Sequence, residues 1–118
     1  MSASRSILVV EDEPLIAMML EDFLETLGHK VHASCESVED AVAAADKGGF
    51  DVAIIDINLN GETAWPVARK LREKEIPFVI ATGGHVEPPP PEFKNVPVIE
   101  KPYTVDRVSP ALEQAIGS

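Results

Sequence analysis

Three carboxylates stand where runs of apolar, largely β-branched residues stop: Glu11 and Asp12 directly after Ile7-Leu8-Val9-Val10, and Asp56 directly after Val52-Ala53-Ile54-Ile55. Hard carboxylate oxygens gathered at one point suit a small divalent cation such as Mg²⁺, which keeps several waters and completes its shell with phosphate oxygens. Two more residues share this placement. Thr82 follows Phe78-Val79-Ile80-Ala81 and offers a hydroxyl donor, while Lys101, followed by Pro102, closes a run that begins at Val96 and offers a point charge for a phosphoryl oxygen. Gly83 leaves the approach to such a group sterically open. Charge balance points the same way, because three carboxylates alone would raise one another's pKa, whereas a divalent cation and the Lys101 ammonium neutralise them. Each residue by itself is ordinary, since strand-end acids commonly cap helices and lysines are commonly solvated. Their joint appearance at four strand ends in chain order makes the set specific.

Bringing these side chains together requires strands that lie side by side and end at the same level. Leu15, Ile16, Met19, Leu20, Phe23, Leu24 and Leu27 keep one face of a helix apolar, with Pro14 in its first turn, Glu11-Asp12-Glu13 at its positive end and Gly28 to stop it. Residues 30–34 read as a second strand. Ser37 and Asp40 then have capping-box spacing ahead of Val38, Ala41, Val42 and Ala45, with Gly48-Gly49 ending that helix. Thr63 is expected to cap a third helix whose inward face is Ala64, Val67, Ala68 and Leu71, with Pro66 in its first turn. Two further strands fall at residues 78–81 and 96–99, and a last helix carries Val105, Val108, Leu112 and Ile116.

Proline marks two irregularities. Pro88-Pro89-Pro90-Pro91 cannot sustain an ordinary helix, so the fourth helix is expected to be short or irregular. Pro110 predicts that the last helix kinks or restarts there with Ser109 as cap. Strands without polar alternation are covered on both faces, which in this order predicts an α/β fold with a doubly wound five-stranded parallel sheet. The usable crevice of such sheets lies at the carboxyl ends of the strands, where the candidate residues are.

A chain of 118 residues that is 45% apolar predicts one domain, residues 1–118, with no output domain. The formal charge of −10, from 20 acidic and 10 basic residues, repels nucleic acid and favours a basic or apolar partner surface. Cys35 is the single cysteine, which excludes an internal disulfide, and His29, His32 and His85 are scattered. The start of the chain lacks the apolar core of a signal peptide and no apolar run approaches the roughly 20 residues that span a bilayer, so no membrane and a cytoplasmic location are expected.

Taken together, Glu11-Asp12, Asp56, Thr82 and Lys101-Pro102 resemble the CheY-like receiver domain of two-component response regulators, over nearly the whole chain. The resemblance implies a flavodoxin-like, CheY-like fold. It implies that Asp56 is the phosphoacceptor, taking its group from a histidine kinase, a phosphotransfer protein or a small acyl phosphate. It further implies that Asp12 and Asp56 ligate Mg²⁺, Glu11 through water, and the backbone carbonyl of Asn58 as well. Lys101 would pair with the phosphoryl group, Thr82 would hydrogen-bond it and move with it, and the Lys101–Pro102 bond would be cis. Residues 77–84, Pro77-Phe78-Val79-Ile80-Ala81-Thr82-Gly83-Gly84, resemble the single-domain FAT GUY receivers, which act in general stress signalling, with Ile80 where that group has phenylalanine.

Val98 is a departure, since many receivers carry an aromatic switch three positions before the strand-five lysine. Tyr103 is the nearby aromatic, either in a switching role or as plain packing or surface. The expected function is a stand-alone receiver that catalyses only its own phosphorylation and dephosphorylation and changes its binding surface for an unknown downstream protein. An adaptor of the same fold, indifferent to phosphorylation, is the alternative. A Mg²⁺ phosphohydrolase fits less well, because Asp56-Ile57-Asn58 lacks the second acid of an Asp-x-Asp pattern, and the acidic loop after the first strand does not suit a flavin phosphate. His85 is expected in a solvated loop, the proline run as a rigid spacer, Trp65 in packing, and Cys35 as a small buried or edge residue.

Overall fold

The computed structural model describes residues 4–83 and 89–117, so the expectations for Gly84, His85 and Pro88 lie outside the described residues. The elements in chain order are β1 (Ser6–Val10), α1 (Pro14–Thr26), β2 (Lys30–Cys35), α2 (Val38–Lys47), β3 (Val52–Asp56), β4 (Asn58–Leu59), β5 (Glu62–Thr63), α3 (Trp65–Glu73), β6 (Phe78–Thr82), a 3₁₀ turn (Pro91–Phe93), β7 (Val98–Glu100) and α4 (Val105–Ile116). Five strands form one parallel sheet in the order β2-β1-β3-β6-β7. The winding reverses between β1 and β3, the position at which an open sheet leaves a crevice.

Apolar residues without alternation form these strands because both faces are covered. Leu8, Val10, Ala53 and Ile55 pack with Ala41 and Ala45 of α2 and with Val67 and Leu71 of α3. Their neighbours Ile7, Val9, Val52 and Ile54 pack with Leu20 and Leu24 of α1 and with Val108 and Leu112 of α4 on the other side. Two apolar layers hold the strands in one register, which sets Glu11 one step beyond the Val10–Ile55 pair and Asp56 beside it. Ser37 caps α2, its Oγ accepting from the Asp40 N–H at 3.1 Å. Among the described residues no helix is long and apolar enough to cross a membrane.

Four local expectations are corrected. Thr63 does not cap α3; Ala64 stands at that position, and Thr63 pairs with Asn58 in a short antiparallel hairpin of β4 and β5. The turn between them is Asn60-Gly61, both at positive φ (52° and 83°), which is the sequence signature of a two-residue hairpin and could have been read as one. The Ala64 N–H donates to Ile57 O at 2.8 Å, which closes the loop and leaves Thr63 outside the helix. Pro110 does not restart the last helix: α4 is one helix with Pro110 inside it, and Ser109 is an interior residue rather than a cap. An internal proline costs about 3 kcal/mol, and burying Val108, Ala111 and Leu112 along one continuous apolar face outweighs it. The last strand starts at Val98 rather than at residue 96, because Pro97 has no N–H and serves the ladder only by accepting from Ile80 N–H at 3.0 Å.

The fourth helix is reduced to the 3₁₀ turn, as the prolines predict, and that turn is firmly held. Phe93 is 1% exposed, stacked on Trp65 at 5.5 Å and edge-on to Phe78 at 5.8 Å. The Arg72 guanidinium lies 4.9 Å over the Phe93 ring and donates to the Glu92 carbonyl, while Arg69 pairs with the Glu92 carboxylate at 2.9 Å. Trp65 is therefore a packing residue, and Cys35 is buried at the end of the edge strand β2. Phe93→Ala is expected to destabilise the protein by about 3–5 kcal/mol, since it removes the centre of this aromatic cluster. Urea denaturation read by Trp65 fluorescence measures that loss, and a change below about 1 kcal/mol would contradict the cluster's role.

Candidate functional site

Glu11 is 0% and Asp56 4% exposed, and these are the buried charged residues of the described chain. Both are carried to the crevice by the two central strands, one at the end of β3 and one just past β1. Each carboxylate of the cluster accepts a backbone N–H, and each of those donors lies within a few residues past the end of β1 or β3. Glu11 Oε2 accepts from Glu13 at 3.2 Å, Asp56 Oδ1 from Asn58 at 3.2 Å, and Asp12 Oδ2 from Asn60 at 2.9 Å. The hairpin that the sequence reading missed thus orients Asp12, and it is itself tied down where Asn60 Nδ2 donates to Glu36 O at 3.1 Å.

Lys101 closes the cluster from the far side of the sheet. Its Nζ lies 2.7 Å from Glu11 Oε1 and 2.7 Å from Asp56 Oδ2, donating an aligned hydrogen bond to Asp56. The main chain positions it, because Lys101 N–H donates to Thr82 O at 2.8 Å, and the Lys101–Pro102 bond is cis. Thr82 ends β6, half-buried, and lines a groove of about 700 Å³ with Trp65, Ile80, Val98 and Pro110. Asp12, Asp56, Asn58, Gly83 and Lys101 line the adjoining cleft of about 460 Å³. Every site residue expected from the sequence therefore lies at this end of the sheet. Tyr103 is 3% exposed and Val98 51%, so the aromatic near the site is inside and the position three before the lysine is outside.

Burial pushes the Glu11 carboxyl up to about 7, and the charge of Asp56 adds to this against the opposing hydrogen bond from Lys101. Burial pulls the Lys101 ammonium down, but its bonds to Asp56 and Glu11 outweigh that and leave it above its ordinary value. Burial raises Asp12, but the Asn60 N–H, further hydrogen bonds and the Lys101 charge together outweigh it and hold the carboxyl below the usual carboxylate range. The donor atoms of Glu11, Asp12 and Asp56 lie within 4.8 Å of one another. Glu11 Oε1 is buried and has no aligned hydrogen-bond donor among the described residues. Three hard oxygens this close, one of them under-satisfied, fit a small divalent cation.

The raised Glu11 sets a pH dependence. Between its ordinary value of 4.5 and about 7 the folded protein holds a proton there that the unfolded chain has released. Stability contributed through Glu11 is thus present at low pH and lost as pH rises through about 7, by about 3 kcal/mol in all. Glu11→Gln, which cannot titrate, is expected to lack this part of the slope, and saturating Mg²⁺ is expected to flatten it in the wild type. Denaturation from about pH 5 to 8, with and without Mg²⁺, measures both. Parallel wild-type and Glu11→Gln profiles would refute the assignment.

Buried carboxylates at the switch point of a parallel five-stranded sheet, clamped by a lysine from the last strand, define a signalling receiver. The response regulator receiver domain model matches residues 7–110, and the chain belongs to that family. It is similar to SdrG from Sphingomonas melonis Fr1, whose solution structure is 50% identical with a TM-score of 0.84 over 98% of both chains. The BeF3-activated conformation of SdrG, from Pseudomonas melonis Fr1, is 47% identical with a TM-score of 0.79, covering 98% of this chain and 99% of that one. The phyllosphere-induced regulator PhyR of Methylorubrum extorquens is 33% identical over 118 residues, 93% of this chain and 43% of that protein. The chain spans less than half the length of the curated relatives it matches.

Proposed function

We propose that this receiver accepts a phosphoryl group on Asp56 from the phosphohistidine of a histidine kinase or phosphotransfer protein, or from a small acyl phosphate. The observation that carries the reading is the placement of Asp56 Oδ2 2.7 Å from Lys101 within a three-carboxylate cluster. A carboxylate oxygen of Asp56 forms the new bond to phosphorus as the donor's P–N or P–O bond breaks. The leaving imidazole then takes a proton, or the leaving group departs as a carboxylate. Mg²⁺ held by Asp12, Asp56 and the Asn58 carbonyl, with Glu11 through water, would neutralise the charge of the transferring group.

Lys101 binds the arriving oxygens as a point charge, and Thr82 supplies a hydroxyl from the neighbouring strand end. Thr82 also lines the groove beside Val98 and Pro110, so its movement alters a surface that a downstream protein can read. In this reading the chain acts as a cytoplasmic receiver domain, as a phosphoprotein rather than a turnover enzyme. The exposed Val98 favours a second reading, an adaptor whose partner is indifferent to phosphorylation, because β7 lacks an aromatic to couple to Thr82. Intact mass after incubation with Mg²⁺ and acetyl phosphate tests the first, with one phosphoryl group added per chain as the expected result. Partner affinity that is equal for treated and untreated protein would favour the second.

A further inference from the structure

Tyr103 is the one tyrosine of the chain, two residues beyond Lys101, and its ring packs among Val9, Ile99, Val108 and Leu112. The Lys101 ammonium lies 5.9 Å from the ring centroid. The hydroxyl is buried with no aligned hydrogen-bond partner among the described residues, a condition that costs about 1–3 kcal/mol. Glu11 is the neighbour that bears on it most directly after burial itself. Glu11 Oε1 in turn is held by Lys101 at 2.7 Å but has no aligned donor among the described residues, because the ammonium's aligned hydrogen bond goes to Asp56. A buried hydroxyl without an aligned acceptor therefore neighbours a buried carboxylate oxygen whose ion pair with Lys101, at 2.7 Å, is off-axis, and a turn of the Glu11 carboxylate can join the two while the ring stays in place.

One ammonium serves both Glu11 and Asp56. When it turns fully to an anionic group on Asp56, Glu11 loses its counter-charge and the orientation that came with it. We propose that Tyr103 is a positioning residue whose hydroxyl donates to Glu11 Oε1 when Lys101 leaves it, keeping Glu11 directed at the cation site. This rests on the metal and phosphoryl reading above. Burial and the negative charges of Glu11 and Asp56 push the phenol well up, so it stays a donor. The role differs from that of an aromatic switch, because Tyr103 acts on the carboxylate from inside the core while its ring remains in place.

Tyr103→Phe keeps the ring and removes the unsatisfied hydroxyl, so stability to urea is expected to hold or rise. Its Mg²⁺ affinity, by calorimetry in the presence of beryllofluoride, is expected to fall about tenfold, the usual effect of losing a group that orients a ligand. In a Glu11→Gln background the same change is expected to add no further loss. Protein labelled with ¹³Cζ tyrosine gives one resonance, expected to shift when Mg²⁺ and beryllofluoride are added to wild type and to stay put in Glu11→Gln. Equal affinities for wild type and Tyr103→Phe with an unmoved resonance would overturn this inference while leaving the metal reading intact. A wild type that fails to bind Mg²⁺ would overturn both.

Discussion

Lys101→Met is expected to destabilise the protein by about 3–5 kcal/mol at pH 8 without divalent cation, because it strips the counter-charge from two buried carboxylates. Glu11 and Asp56 are 0% and 4% exposed and each lies 2.7 Å from the ammonium that would be lost. Methionine conserves the stem's packing, so the change isolates the charge. The loss should shrink on acidification. Lys101 lowers the Glu11 pKa in the wild type, so its removal raises that value further, and the variant gains stability as pH falls through the Glu11 titration. Mg²⁺ should also restore stability, by about 2.7 kcal/mol at a concentration a hundredfold above its dissociation constant, since it replaces the missing positive charge. Urea denaturation at about pH 8 and pH 5.5, with and without Mg²⁺, checks all three points. A variant as stable as wild type at pH 8 would show that the ion pair carries no net energy.

Asp56→Asn is expected to lower covalent phosphoryl incorporation from acetyl phosphate below about one per cent of wild type, because an amide oxygen is no nucleophile at the strand end. The readout is intact mass, and an adduct retained by the variant would move the acceptor elsewhere and refute the proposed function. The fold should survive, since asparagine has the same shape and Lys101 keeps Glu11 at 2.7 Å. A second consequence separates a local electrostatic change from general damage. Asp56 is one of the charges that raise the Glu11 carboxyl, so its neutralisation should let the Glu11 titration move down and narrow the pH window of stability.

Much of this was legible in the chain because period and punctuation carry it. Continuous apolar runs ending in Glu11, Asp56, Thr82 and Lys101 predict strands buried on both faces with their chemistry at one end, and the sheet has that form. Ser37 with Asp40, and the proline run before Phe93, were likewise readable, since caps and helix breaks depend on neighbouring residues. The hairpin at Asn58–Thr63 carried a local signal in Asn60-Gly61 that the longer helical pattern masked.

Other features depend on residues far apart in sequence. Pro110 stays within a helix because the apolar face of α4 is buried as a unit against β3, β6 and β7, an energy that no local rule contains. Tyr103 is drawn inside, and its hydroxyl set near Glu11, by packing between the last strand and α4.

By itself the sequence determined the fold class, the acidic and basic residues of the site and the end of the sheet that holds them, because strand length and residue type are local properties. The tertiary structure alone decided that one ammonium bridges Glu11 and Asp56, that Asn60 holds Asp12, and that the Tyr103 hydroxyl is buried near Glu11 with no aligned partner among the described residues. Those depend on register and burial across strands 45 residues or more apart in the chain, where desolvation makes each charge's partner a matter of ångströms.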